Sequence, residues 1–262
     1  MVCYNLFMAL TRDLSISADW QRQYPASGLP ECEVHLWRVF LDGGGNGQEK
    51  LLERLSKAEV ERAMRLRAEL QRRRFIRSHA ACRSLLARYA GIPAEQLEFV
   101  QTQTGKPSLR EPTALKFNMS HSGGWLALAI SRNREIGVDL EMHTGQLDWL
   151  QIAKNFFLDE EVNQIRAFLG MEQQMLGFYR VWTMKEAYLK ASGIGIASGL
   201  RHVKINLSQD SEASFLELPG GKNELRRWLA FAFQPVSGAS GVVVVETTDQ
   251  PVKIVLFEYG TD

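Results

Sequence analysis

Two carboxylates in Gly137-Val138-Asp139-Leu140-Glu141 and a third in Trp182-Thr183-Met184-Lys185-Glu186-Ala187 carry the sharpest chemical signal in the chain. Asp139 and Glu141 lie two apart in a β-like run over 136–141, and side chains at i and i+2 leave a strand on one face. Val138 and Leu140 then point the other way, into a core. Two carboxylates on one face repel unless a cation lies between them. A hard, oxygen-seeking ion such as Mg²⁺ suits such a pair and commonly brings phosphates with it. By themselves the two residues also describe an ordinary solvent-facing strand. Glu186 adds weight, because it lies in a helical stretch over 178–190 whose Tyr179, Trp182 and Leu189 form an apolar stripe. Lys190, four residues on, shares its face. That pair is either a surface ion pair worth ~0.5 kcal/mol at most, or a third metal carboxylate beside a lysine that meets a phosphate. Lys185 lies near the same rim. Gly193 and Gly195 end the helix and let backbone approach a ligand closely, although glycines are also ordinary helix caps.

The basic side chains form a second set. Arg72, Arg73, Arg74 and Arg77 are the main cluster, and Arg74 and Arg77 are neighbours on a helix. Such a face is either simply solvated or a bidentate grip on a phosphate. Lys106 rides a rigid turn, Gly105-Lys106-Pro107. Ser120-His121-Ser122-Gly123-Gly124 reads as a polar turn between two apolar strands. Adjacent residues on an extended chain point apart, so His121 does not readily activate Ser120, and there is no GxSxG elbow. His121 is better suited to a phosphate or ribose contact, or to stabilising its turn.

The elements that must position these groups follow from pattern. With 262 residues, 45% of them hydrophobic, the chain can build one large or two small domains. A net charge of +1 argues against a non-specific nucleic-acid binder. Cys3, Cys32 and Cys82 form neither a CxxC pair nor a cluster with the five histidines, which fits a reducing compartment. The first ten residues lack a basic leader and a cleavage site, and no apolar run is long enough for a membrane span. The expectation is a cytoplasmic protein that binds neither nucleic acid nor membrane. Residues 1–32 read as an irregular extension and 42–47 as a flexible loop. Ser56-Lys57-Ala58-Glu59 is a capping box opening a helix, and a second helix covers 71–89. Strands are expected at 33–40, 97–102, 115–119, 125–131, 136–141, 202–207, 228–234, 242–247 and 253–259. Helices are expected at 147–156, 159–169 and 171–192. Several connections are too short for crossovers, so the fold class is α+β with antiparallel sheets. The boundary falls near 131–135, giving an N-terminal half over 1–134 and a C-terminal half over 135–262.

Taken in order, Phe117-Asn118-Met119-Ser120-His121-Ser122, Gly137-Val138-Asp139-Leu140-Glu141 and Trp182-Thr183-Met184-Lys185-Glu186-Ala187-Tyr188-Leu189-Lys190 resemble the 4′-phosphopantetheinyl transferases of the surfactin-synthetase-activating type. Gly105-Lys106-Pro107 and the arginine-rich helix before it match too, so the resemblance runs over about 62–196. The ordered set is specific although no single piece is. The resemblance implies a monomeric pseudo-dimer of two similar α+β halves with coenzyme A in the cleft between them. It implies transfer of the phosphopantetheine arm to a serine of an apo acyl or peptidyl carrier protein, with release of 3′,5′-ADP. It implies Mg²⁺, or Mn²⁺, on Asp139, Glu141 and Glu186, with Glu186 also the general base and Lys190 on the pyrophosphate. Arg74, Lys106, Ser120 and His121 are then nucleotide and 3′-phosphate contacts, with Lys185 beside them. Two other readings stay open on residues alone: a metal-dependent phosphohydrolase that cleaves the coenzyme without an acceptor, and a non-catalytic binding module, which would be expected to lack a complete acidic set.

Overall fold

The computed structural model describes residues 12–14, 20–25, 28–43, 47–110, 113–195, 199–208 and 213–260. Cys3, much of the 1–32 extension, the centre of the 42–47 loop and Ile196 lie outside the described residues. In chain order the first elements are β1 (Arg12–Leu14), β2 (Glu33–Phe40), α1 (Gln48–Leu52), α2 (Lys57–Arg65) and α3 (Glu69–Ala90). Then come β3 (Phe99–Gln101), β4 (Pro107–Leu109), β5 (Leu115–Ser122), β6 (Trp125–Arg132) and β7 (Ile136–Met142). Helices α4 (Trp149–Phe156), α5 (Asp159–Arg166) and α6 (Met171–Ser192) follow. The remainder is β8 (Lys204–Leu207), β9 (Ala213–Glu217), α7 (Lys222–Arg227), β10 (Trp228–Phe233), β11 (Ala239–Glu246) and β12 (Lys253–Tyr259).

These elements form two compact units. One, here the arginine unit, holds residues 19–133 and 252–262; the other, the carboxylate unit, holds 1–18 and 134–251. In the arginine unit a four-stranded sheet runs β12-β2-β6-β5. α3 covers one face of it, packing Cys82, Leu85 and Leu86 with Trp37, Phe117 and Leu128. α2 begins as its sequence dictates: the Ser56 side chain caps the Glu59 amide and Glu59 reaches back to the Ser56 amide. α3 stops at Gly91, whose φ of 68° is the left-handed conformation that glycine adopts without strain.

In the carboxylate unit the sheet runs β1-β10-β11-β7, and α6 packs on β7 and β11. α4 and α5 flank α6, and their Ala153, Val162 and Ile165, with Phe157 from the link between them, join Phe178, Met184 and Tyr188 in one core. Each unit repeats one plan. A strand leads to a 22-residue helix, α3 or α6, closed by a left-handed glycine, Gly91 or Gly193, and two further strands of the same sheet follow. The third strand lies between the first and the second: β2-β6-β5 and β7-β11-β10. The pairs within each plan are antiparallel, as expected for an α+β fold.

Two expectations need correction. A single cut after residue 134 assigns both ends of the chain to the wrong unit. β12 pairs in parallel with β2, and β1 pairs in parallel with β10, so each sheet takes one edge strand from the far end of the chain. The described part of the 1–32 extension is also ordered structure rather than an irregular appendage. Gln21 bridges to Phe257, Tyr24 lies 5.2 Å from the Trp37 ring and 3.7 Å below the Arg88 guanidinium, and Leu29 is buried. Among the described residues no helix is long and apolar enough to cross a membrane.

Candidate active site

Between Val181 and Ala191, α6 is buried at every position except Trp182, Glu186 and Lys190. Their spacing of four places them in one partly exposed stripe along an otherwise wrapped helix. The wrapping is close on the β7 side. A Cβ on Gly137 would stand 2.1 Å from the Ala187 carbonyl oxygen and 2.4 Å from the Ala191 nitrogen, so only glycine lets the helix backbone lie on the strand. Gly137, Asp139 and Glu141 share a strand face. The face that takes α6 therefore carries Asp139, which is 1% exposed, and the solvent-facing reading of this strand does not hold. Val138 and Leu140 are buried on the opposite face, so the strand is covered on both sides.

Helix and strand meet through Lys190. Its Nζ donates to Asp139 Oδ1 at 2.6 Å and lies 3.5 Å from Glu186 Oε2. Burial pushes the Glu186 carboxyl up to about 7; the neighbouring charge of Asp139 and, more weakly, that of Glu141 add to the rise while Lys190 opposes it. The three carboxylates thus feel one another, and one ammonium holds two of them. They do not form a ready-made cage: among the described residues no three His, Cys, Asp or Glu side chains are grouped closely enough to hold a metal ion.

Lys185 does not belong to this rim. One residue before Glu186, it is turned about 100° round the helix into the core. It is fully buried, with Nζ donating to Glu161 Oε2 at 2.6 Å and to the Leu200 carbonyl at 3.0 Å, and lying 5.1 Å from the Phe157 ring centre. Its amine is committed to holding α6 against α5, and it is withdrawn as a coenzyme contact.

His143 escaped the sequence reading. It continues the period-two series of Asp139 and Glu141, bonds Ser240 Oγ through Nε2 at 2.8 Å and stacks on Tyr179 of α6 at 4.6 Å. Ser240 is the register partner of Glu141 on β11, so this wall borders the carboxylates. The alternation 139, 141, 143 was visible; Ser240 had no signal until the strands were paired.

The arginine unit presents the basic set. The polar turn read at 120–124 is shorter than expected: Ser120, His121 and Ser122 belong to β5, and Gly123-Gly124 alone makes the hairpin turn, with φ of 56° at Gly123. Ser120 and His121 consequently face opposite sides of the sheet. His121 is exposed at the end of the row that holds Phe117 and Met119, the row that packs under α3. At the same hairpin end, Arg74 of α3 grips a carboxylate: Nε donates to Asp42 Oδ1 at 2.7 Å and Nη2 to Oδ2 at 2.6 Å. Lys106 rides the β3–β4 turn, which Thr102 and Lys106 close with a backbone bond of 2.9 Å and where Gly105 takes φ of 83°. Arg62 is held over the Phe75 ring at 5.4 Å.

Residues 135–243 match the family model for the 4′-phosphopantetheinyl transferase superfamily, and residues 47–133 match the model for the N-terminal part of a 4′-phosphopantetheinyl transferase. Over 203 residues the chain is 38% identical to the 4′-phosphopantetheinyl transferase HetI of Nostoc, covering 76% of this chain and 85% of that one. The chain belongs to the 4′-phosphopantetheinyl transferases. A phosphopantetheinyl transferase of Thraustochytrium is 30% identical over 211 residues, covering 74% of this chain and 73% of its own. The transferase Sfp of Bacillus subtilis is 30% identical over 171 residues, covering 65% and 74%. For a transferase of this family the two matched stretches divide the residues cleanly. Asp139, Glu141, Glu186 and Lys190 fall in the first, and Arg74, Lys106, Ser120 and His121 in the second.

Proposed function

We propose that this transferase moves the 4′-phosphopantetheine arm of coenzyme A onto a serine of an apo acyl or peptidyl carrier protein and releases 3′,5′-ADP. The observation that carries the reading is the junction of Asp139, Glu186 and Lys190 on one strand face and one helix stripe. In the reaction the serine Oγ forms a bond to the β-phosphorus of the coenzyme, and the bond from that phosphorus to the bridging oxygen breaks. Glu186 accepts the serine proton, directly or through water. Lys190 is proposed to offset the charge that grows on the pyrophosphate oxygens.

The donor set also fits a divalent ion. Asp139, Glu141 and Glu186 are hard oxygen donors whose mutual repulsion a second positive charge would relieve. They would hold Mg²⁺, or Mn²⁺, which when bound polarises the pyrophosphate oxygens. Arg74, Lys106, Ser120 and His121 are proposed as coenzyme contacts; because Ser120 and His121 face opposite sides of their sheet, they meet different groups. The acceptor brings the nucleophile, which accounts for the lack of a Ser-His-Asp set among the proposed residues.

The test is the intact mass of a purified apo carrier protein after incubation with this protein, coenzyme A and Mg²⁺. A gain of one phosphopantetheine arm is expected, lost with EDTA and lost when the carrier serine is alanine. Cleavage of the coenzyme with no gain on fatty-acid or peptide-synthetase carriers would replace transfer by hydrolysis.

A further inference from the structure

We infer that Asp42 is a positioning residue for Arg74, holding its guanidinium as a preformed anion-binding edge at the β5–β6 hairpin end of the arginine unit. The inference rests on the proposed reading of Arg74 as a coenzyme contact, and Asp42 lies outside both stretches matched by the family models.

The seat of Asp42 is built by the chain. Where β2 leaves the sheet, the Leu41 amide donates to the Gly124 carbonyl at 2.7 Å, which fixes the backbone one residue before Asp42. The hairpin turn makes room for the carboxylate: a Cβ on Gly124 would stand 2.4 Å from Asp42 Oδ2 and 3.5 Å from the Phe40 ring. Asp42 then meets Arg74 side-on, one oxygen on Nε and one on Nη2. Two parallel bonds fix both the position and the plane of the guanidinium, which a single bond would leave free to swing. They consume two of its five N–H groups, and the remaining donors lie on the edge turned away from Asp42.

The charge around the pair favours an anion rather than a closed ion pair. Arg73 and Arg77 stand near enough to lower the Asp42 carboxyl, although the hydrogen bonds from Arg74 are the larger cause. Three guanidiniums to one carboxylate leave the place net positive. Arg74 and Asp42 are each about 30% exposed, so the open edge is reachable from solvent. A long arginine side chain loses much rotamer freedom on gripping a phosphate. Asp42 has removed most of that freedom beforehand. The contrary role is a competitor: a carboxylate that occupies the best edge of Arg74 and must be displaced. The two roles predict opposite signs.

The experiment titrates 3′,5′-ADP into the full chain by calorimetry for the wild type, Asp42→Ala, Asp42→Asn, Arg74→Ala and the double alanine variant. It is paired with kcat and KM for coenzyme A and with thermal unfolding of each protein. Asp42→Ala is expected to weaken 3′,5′-ADP by about five- to tenfold and to raise KM by a similar factor. Its kcat should stay within about twofold of the wild type. Asp42→Asn, which keeps one acceptor oxygen, should recover part of the affinity, and it stands in if the alanine variant does not fold. The double variant should bind no more weakly than Arg74→Ala. Tighter binding in Asp42→Ala overturns the inference in favour of the competitor. Unchanged affinity overturns it, as does a further loss in the Arg74→Ala background. Arg74→Ala separates the levels: if it leaves 3′,5′-ADP binding unchanged, the reading of Arg74 as a coenzyme contact fails and takes the inference with it. If Arg74→Ala weakens binding and the Asp42 variants do not, the inference alone fails.

Discussion

Lys185 and Lys190 are five residues apart and have different fates, and that difference can be measured. Removing a buried partner strands the other charge, so Lys185→Met should leave the Glu161 carboxylate uncompensated and destabilise the fold by about 3–5 kcal/mol. The midpoint of urea unfolding reports this, and the affinity of the folded fraction for coenzyme A should not change. Asp139→Ala and Glu186→Ala are expected to do the reverse, lowering turnover by at least ~100-fold while circular dichroism stays that of the wild type. Rates near the wild type in either variant would remove the metal and base assignment. A third residue-scale outcome concerns acid. Burial raises the Glu59 carboxyl, but hydrogen bonds from His79 and the Ser56 amide, together with the Arg83 charge, outweigh it and bring it from 4.5 down to about 2. A carboxylate depressed on folding adds stability above its unfolded value and loses it as pH falls through the folded one. Between about pH 4.5 and 2 this amounts to ~3 kcal/mol. Glu59→Gln should flatten the stability–pH curve in that window, and an unaltered slope would contradict the network.

At the scale of elements, the critical contact is backbone against backbone at Gly137. Gly137→Ala must push α6 off β7, because the clashing atoms are main chain and have no rotamer to escape into. Overpacking of this kind costs about 1–3 kcal/mol. Because Asp139 is two residues along and Lys190 lies on the displaced helix, turnover should fall more than stability alone would require. A variant with reduced stability and full activity would show that the junction tolerates movement. The long elements were legible. A capping box, a glycine stop and an unbroken run of helix formers placed α2, α3 and α6, and alternation placed β2, β7 and β12. Two short strands were not. β4 opens on Pro107, which reads as a turn, and in β9 the adjacent Phe215 and Leu216 break the alternation. Site residues divided the same way. Glu186 and Lys190 declared themselves by an interval of four. Lys185 was misjudged because nearness in sequence to a functional residue says nothing about facing on a helix. Asp42 and Ser240 had no local signal, since what defines each is a partner on another element.

For the whole molecule, the repeated plan supplies three strands of each four-stranded sheet, and the two end strands depart from it. β12 adds Leu256 and Phe257 to the arginine unit, the latter stacked on Trp37 at 4.6 Å. Truncation after Pro251 should therefore expose the β2 edge and open a cavity beside Trp37. Hydrogen exchange is expected to show faster exchange over Glu33–Phe40, with β7 and α6 keeping more of their protection; equal loss in both would mean that the units unfold as one. The pairing of Lys253 with Glu33 also sets an order in time. A ribosome adding roughly 5–20 residues per second delivers β12 some tens of seconds or less after β2 has emerged. Throughout that interval the first-made sheet has an open edge, at the stage when edge-to-edge association with neighbouring nascent chains is easiest. The enzyme's yield in a cell would then depend on how fast residues 252–262 arrive and whether something shields that edge until they do.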